Sequence, residues 1–234
     1  MTREIGGEAM PFLVEQTRDD CVHACTVDDV AAMLRLLPRP DVMGDDWLDG
    51  IQGVVLRQPT RKEESHVPVW ARIGYSVPVS ADEIGPVIFI EAQEVPFRGH
   101  WGNSVGPSDR RELDRLIAMA TSVERARRGH TLHFDLEGIR RVQLFHSVPH
   151  ELGHSVDMMT KVDEPSRYDI EEWRRLVDRY FQRPVVEREE FAHRYAERAM
   201  AELRARGSAP FDRMLDPDAL TSEGLRLEDF VAIA

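Results

Sequence analysis

The chain has 234 residues, 42% hydrophobic and 31% charged, with a formal net charge of −12. That length and apolar content exclude a disordered tail and allow one large domain or two small ones around a real core. The negative balance disfavours nucleic acid and anionic lipid as partners, and no run of eighteen apolar residues predicts a membrane span.

Residues 1–25 show no clear period. Met1 to Gln16 lacks a basic stretch followed by a long apolar run, so no signal peptide is expected. Cys21 and Cys25 flank His23. With no second cysteine pair to complete a metal site, they read as two ordinary reduced thiols, and the expected compartment is the cytoplasm. Thr26 caps a short helix whose apolar side is Val30, Met33, Leu34 and Leu37, and Pro38 and Pro40 end it. Residues 38–50 read as a loop. Three strand-like runs follow: Ile51 to Leu56, the alternating Val67 to Tyr75, and the almost wholly apolar Pro86 to Ile90. Pro96 to Gly106 reads as irregular and exposed. Ser108 is expected to cap a helix carrying Leu113, Leu116, Ile117, Ala120, Val123 and Ala126, ending at Gly129. Thr131 to Phe134 follows as a short strand.

Asp135 starts the next helix, with Ile139, Val142 and Phe145 on its inner side. Pro149 then either kinks that helix or opens a new one capped by Ser147. Asp169 begins a helix with Ile170, Trp173, Leu176, Val177 and Tyr180 on one face, terminated by Pro184. The last long helix runs from about Val186 to Arg206, with Gly207 as its stop. Residues 208–234 form a tail with one short helical patch.

The chemistry concentrates at His150-Glu151-Leu152-Gly153-His154. On a helix, residues four apart share a face, so His150 and His154 can point at one ion while Glu151 reaches a water beside it. With nine histidines in the chain, such a motif arises in roughly three of a hundred shuffled sequences, so it needs support. Phe145, Val148, Leu152 and Val156 supply some. They predict a partly buried helix, where unpartnered histidines would be costly. The third ligand is sought among Glu187, Glu189 and Glu190. At about 100° per residue, Glu189 lies roughly 60° from the apolar centre formed by Ala192, Tyr195, Ala196, Ala199 and Leu203, and the other two lie roughly 140–160° away. Glu189 is therefore selected. Asp157 reads either as a carboxylate orienting a ligand imidazole or as a surface acid. His146, one turn before His150, reads as packing more readily than as part of the site. His66, His100, His130 and His133 show no ligand spacing, and Trp70 and Trp101 are candidates for a cleft wall or for core.

His150 to Asp157, H-E-L-G-H-S-V-D, followed by Glu189 to Ala196, E-E-F-A-H-R-Y-A, resembles gluzincin metallopeptidases. The H-E-x-G-H-x-V-D run and the E-x-F-A pattern are similar to the catalytic domain of anthrax lethal factor and its relatives. The E-x-x-A-x-x-aromatic-A pattern resembles the ImmA-type repressor-cleaving peptidases. The likeness spans residues 145–197 and carries no substrate with it. It implies Zn2+ on His150, His154 and Glu189, with Glu151 as general base. Lethal-factor-like enzymes carry a tyrosine where this chain has Gln182, and ImmA-type enzymes carry an asparagine where it has His193. Tyr180 and His193 are accordingly the two candidates for the group that stabilises the oxyanion.

These readings predict an α+β protein with a zincin-like metallopeptidase fold: a small twisted sheet, the motif helix beneath it and a helical C-terminal part. Residues 1–45 would form a helical extension, 46–207 the catalytic domain and 208–234 a tail. The expected function is a zinc metallopeptidase, an endopeptidase before an exopeptidase, acting on a protein or peptide. The alternative is a non-catalytic zinc-binding sensor or regulatory protein on the same scaffold.

Overall fold

The computed structural model describes residues 1–37, 50–60, 69–79, 84–104 and 106–232. It is an α+β structure. Strands β1 (Thr2–Ile5) and β2 (Glu8–Val14) form a hairpin, turned by Gly6 and Gly7 at φ 64° and 95°, a region that L-side chains rarely adopt. β2 runs parallel to β4 (Gly53–Arg57), and β4 parallel to β6 (Ile84–Glu91). β5 (Ala71–Pro78) pairs antiparallel with β6 and closes the sheet in the order β1-β2-β4-β6-β5, so β5 is an edge strand among the described residues. A two-stranded ladder joins β3 (Cys21–Val22) to β7 (Gln93–Glu94). A three-stranded antiparallel sheet orders β8 (Phe97–Gly102), β10 (Gly129–Phe134) and β9 (Ser122–Ala126) as β8-β10-β9.

Helix α1 (Val27–Leu36) starts with a reciprocal capping box between Thr26 and Asp29. Helix α2 spans Pro107–Met119. From Leu136 the chain stays helical to Asp163: α3 (Leu136–Val142), a π-type turn (Gln143–Ser147), α4 (Val148–Met158) and a second π-type turn (Met159–Asp163). α5 (Ile170–Gln182), α6 (Val185–Ala205) and α7 (Pro217–Ser222) complete the chain. Val54, Leu56, Ile88 and Ile90 of the sheet pack with Val30 and Leu34 of α1 and with Val148, Leu152 and Val156 of α4. A second core of Trp70, Trp101, Leu113, Leu116, Leu132, Phe134 and Ile139 lies under the small sheet. Among the described residues no helix is long and apolar enough to cross a membrane.

The structure decides between the two readings of Pro149. Ser147 is helical (φ −71°, ψ −46°) and makes no capping bond, so no new helix starts there. The Val148 N–H instead reaches back five residues to the Gln143 carbonyl. A proline ring collides with the carbonyl four residues earlier in a regular α-helix, and a wider turn just before Pro149 relieves that collision without breaking the rod.

Two polar anchors fix this rod. Gln143 Nε2 donates to the carbonyls of Glu91 (2.7 Å) and Trp70 (3.2 Å), tying the π-type turn to the end of the sheet. Arg140 Nε and Nη2 grip Asp29 at 3.1 and 2.9 Å, with both side chains at most 1% exposed. Asp29 also accepts the backbone N–H of Thr26 and of Met214, and Arg140 lies 5.5 Å from the ring centroids of Phe145 and Phe211.

Several expectations are corrected. Residues 1–37 are not a separate helical extension: they supply two strands and a helix to the same sheet and core as α4. Pro96 to Gly106 is not wholly irregular, since β8 lies within it and Trp101 is buried. The second helix begins at Pro107, with Gly106 rather than Ser108 in the cap position. It ends at Met119, and Val123 and Ala126 belong to β9. Gly129, at φ 154°, opens β10 where a Cβ would lie 2.0 Å from the Trp101 carbonyl oxygen, so close strand approach, and not helix termination, explains it. The loop at 38–49, His66 and the first residues of the alternating run at Val67 lie outside the described residues.

Removing one member of a buried ion pair leaves the other charge uncompensated, typically at a cost of about 3–5 kcal/mol. Asp29→Ala should therefore lower the urea midpoint of unfolding by that equivalent. An unchanged midpoint would show that the pair does not anchor the rod.

Candidate metal centre

α4 and α6 approach closely where Gly153 faces Ala192, with Tyr195 packed beside them. A Cβ on Gly153 would lie 2.9 Å from Ala192 Cα and 3.0 Å from its carbonyl oxygen. The fourth residue of H-E-L-G-H and the fourth of E-E-F-A thus meet each other. Ala192, Tyr195, Ala196, Ala199 and Leu203 are buried, as the helical wheel predicts. Asp157 adds a polar tie. It is fully buried and is neither a surface acid nor bonded to an imidazole. It pairs with Lys161 and, at 2.9 Å, with Arg183 Nη1, which immediately precedes the Pro184 cap of α6.

This packing brings His150, His154 and Glu189 together. His150 Nε2 and His154 Nε2 are 3.1 Å apart. Glu189 Oε2 is 3.2 Å from His150 Nε2, and its Oε1 is 3.5 Å from His154 Nε2. A tetrahedral ion with ligands at about 2.0–2.1 Å holds its donors roughly 3.3–3.4 Å apart; the two imidazoles stand near that spacing from one another, and each meets a different oxygen of the Glu189 carboxylate. Two Nε2 atoms at 3.1 Å can share at most one proton between them, and a cation answers both lone pairs. The His150 and His154 hydrogen bonds hold the Glu189 carboxyl below the usual carboxylate range, against the effect of burial. Of the acids set aside on helical phase, Glu187 is exposed and pairs loosely with Arg183 at 3.5 Å, whereas Glu190 is half-buried like Glu189, lines the same cleft and lies 3.8 Å from Arg111.

Glu151 is buried beside this cluster. Burial pushes its carboxyl up. His150 and His154 act against that rise, Glu189 adds to it, and a hydrogen bond from the Ile73 backbone opposes it. Ile73 lies on β5, so the Glu151 carboxyl is positioned by the sheet as well as by its own helix.

A cleft of about 530 Å³ opens at the cluster. His150, Glu151 and Glu189 line it, with Val69, Trp70 and Ala71 from the approach to β5 and Val185 and Val186 from the start of α6. Trp70 also packs edge-on to Phe97 and Phe134, so one residue serves both cleft and core. His193 lies in the cleft with its ring centroid 4.3 Å from that of His150. Burial, and next the His150 imidazole, lower His193 to about 4, which keeps it neutral at pH 7. His146 is in the cleft too, 3.3 Å from both carboxylate oxygens of Glu112 on α2. Burial alone would raise Glu112, but the hydrogen bond and charge of His146 bring it down to about 2.

Tyr180 does not line the cleft. It is buried against Tyr75 and Phe181, and burial followed by Tyr75 and Asp157 raises its hydroxyl. Tyr75, on β5, is within electrostatic reach of Glu151, and burial is the main cause that pushes it up to about 12. Helix and strand periodicity hinted at Tyr75, two residues beyond Ile73 on one face of the alternating run. Nothing in the sequence singled out Glu112. Cys21 and Cys25 are free and buried: Arg18 Nη2 approaches Cys21 Sγ at 3.3 Å, and Cys25 Sγ points at Gln143 Oε1 at 3.7 Å. His23 Nε2 lies 2.8 Å from the Glu15 carbonyl, and these residues do not join the cluster.

No protein-family model, no curated protein and no solved structure matches this chain.

Because a Cβ at position 153 would strike backbone, Gly153→Ala must push the two helices apart. Overpacking of this kind costs about 1–3 kcal/mol. The expected result is a lower melting temperature together with at least tenfold weaker zinc binding. A variant with unchanged affinity by calorimetry would show that the crossing does not set the donor spacing.

Proposed function

We propose that the protein is a zinc-dependent peptidase on a zincin-like scaffold. The observation that carries this reading is the convergence of the His150 and His154 Nε2 atoms and the two Glu189 carboxylate oxygens, in contacts of 3.1–3.5 Å, next to a buried carboxylate and an open cleft. His150, His154 and Glu189 would hold the ion. When bound, zinc supplies a Lewis acid that polarises a carbonyl and makes water more acidic. Glu151 then takes the proton of the attacking water and passes it to the leaving amine. A carboxyl raised by burial, and steadied by the Ile73 N–H, suits both halves of that transfer.

The substrate class follows from the edge. Among the described residues β5 has a neighbour on one side, and its first residue, Ala71, lines the cleft, so an extended peptide can add alongside it with main-chain hydrogen bonds. Val185 and Val186, both exposed, offer an apolar wall for a side chain. Neutral His193 faces the cleft and is the better placed of the two oxyanion-donor candidates, whereas Tyr180 supports the wall behind Tyr75. The cleft lined by His150, Glu151 and Glu189 favours turnover over a non-catalytic zinc sensor, because it gives a substrate room beside them.

His154→Ala should lose the ion held by His150, His154 and Glu189, and activity with it. Glu151→Gln should keep zinc, measured by elemental analysis, and lose at least a hundredfold in kcat/KM toward peptide substrates. Proteolysis surviving in the zinc-loaded Glu151→Gln protein would overturn the mechanism. Acidification should release zinc, since the ligands must shed protons to bind it. Zinc retained on acidification would argue against imidazole ligation.

A further inference from the structure

The helix pair carries a second set of donors directly beside the first. His146, His150 and His154 recur at four-residue intervals along the continuous rod, and Glu189 and His193 recur at the same interval on α6. The first step of this ladder is His150, His154 and Glu189. The next is His146 and His193, whose rings stack nearly parallel (9°) with centroids 6.1 Å apart. Glu112 of α2 closes that step, and one donor atom from each of Glu112, His146 and His193 lies within 4.8 Å of the other two. The steps adjoin, because His150, Glu189 and His193 satisfy the same limit.

Three observations set this group apart from ordinary packing. The His146–Glu112 contact is long and symmetrical, 3.3 Å to each oxygen, whereas a directional charged hydrogen bond is shorter and favours one oxygen. His193 makes no hydrogen bond with any described residue, and its Nδ1 is buried. Arg115 Nη1 pairs with Glu112 Oε2 at 3.4 Å and commits its second arm to Glu197 at 2.6 Å, so the Glu112 Oε1 atom is left to His146. Two imidazoles and one carboxylate form a donor set for borderline divalent ions such as zinc.

We propose that Glu112, His146 and His193 form a second zinc site, adjoining the first and facing the same cleft. Paired ions in one cleft can polarise a substrate from two sides. The site uses none of the residues His150, His154 and Glu189 and takes His193 as a ligand in place of its oxyanion role, so it can fail while zinc at the first site stands, and the reverse.

Untagged protein titrated with zinc and analysed for metal after dialysis tests it. Wild type should hold two ions per chain, and Glu112→Gln or His146→Ala one. His154→Ala should keep a single ion, which His146→Ala in that background removes. Circular dichroism of the isosteric Glu112→Gln variant checks that the fold is intact. Saturation of wild type at one ion overturns the proposal, as does a folded Glu112→Gln protein that still holds two. Loss of the ion from His154→Ala protein with Glu112 and His146 intact overturns it as well.

Discussion

The contact on which the site depends is the near-touching of two backbones at Gly153 and Ala192. Metal coordination tolerates errors of only a few tenths of an ångström, and side chains on separate helices inherit any error in helix separation. A glycine on one helix and an alanine on the other remove the side chains that would otherwise set that separation. The backbones then set it themselves, as rigidly as packing allows. Asp157 and Arg183 hold the same pair of helices from the other side of the crossing with a buried charge pair. The small residues of the two motifs are thus geometric parts of the site, though neither can touch an ion.

The rod that carries the motif is positioned from outside the motif. Gln143 hangs it from the carbonyls at the end of the sheet, and Arg140 clamps it to Asp29. Asp29 in turn receives the backbone of Met214, so the amino-terminal third, the rod and the tail share one buried carboxylate. This explains why the chain does not divide where its composition suggests. The hairpin at the amino terminus completes the sheet that the rod leans on, and the tail covers the clamp.

Much of this was legible in the sequence. Thr26 and Asp169 announced their helices because capping is local chemistry, decided within three residues. Glu189 could be separated from Glu187 and Glu190 because a 21-residue helix with a clean apolar stripe fixes angular position. The hairpin of β9 and β10 was hidden because Val123 and Ala126 continue a helical spacing by coincidence, and Gly129 suits a helix stop as well as a close strand crossing. Glu112 was invisible for a different reason. It lies on a highly charged helix, and only tertiary packing brings it to His146, 34 residues away. Tyr180 could be read as a cleft residue from the sequence because distance along the chain says nothing about which wall a side chain joins.

The π-type turn before Pro149 has a further consequence. A rod that runs unbroken from Leu136 to Asp163 is roughly 40 Å long at 1.5 Å per residue. It is gripped near one end by Asp29 and near the other by the Asp157–Arg183 pair, with the histidines between. Mechanically it is a beam on two supports with its working point at mid-span. A shift at either support therefore reaches the histidines as a tilt, and the tail that covers one support has leverage on a site it never touches.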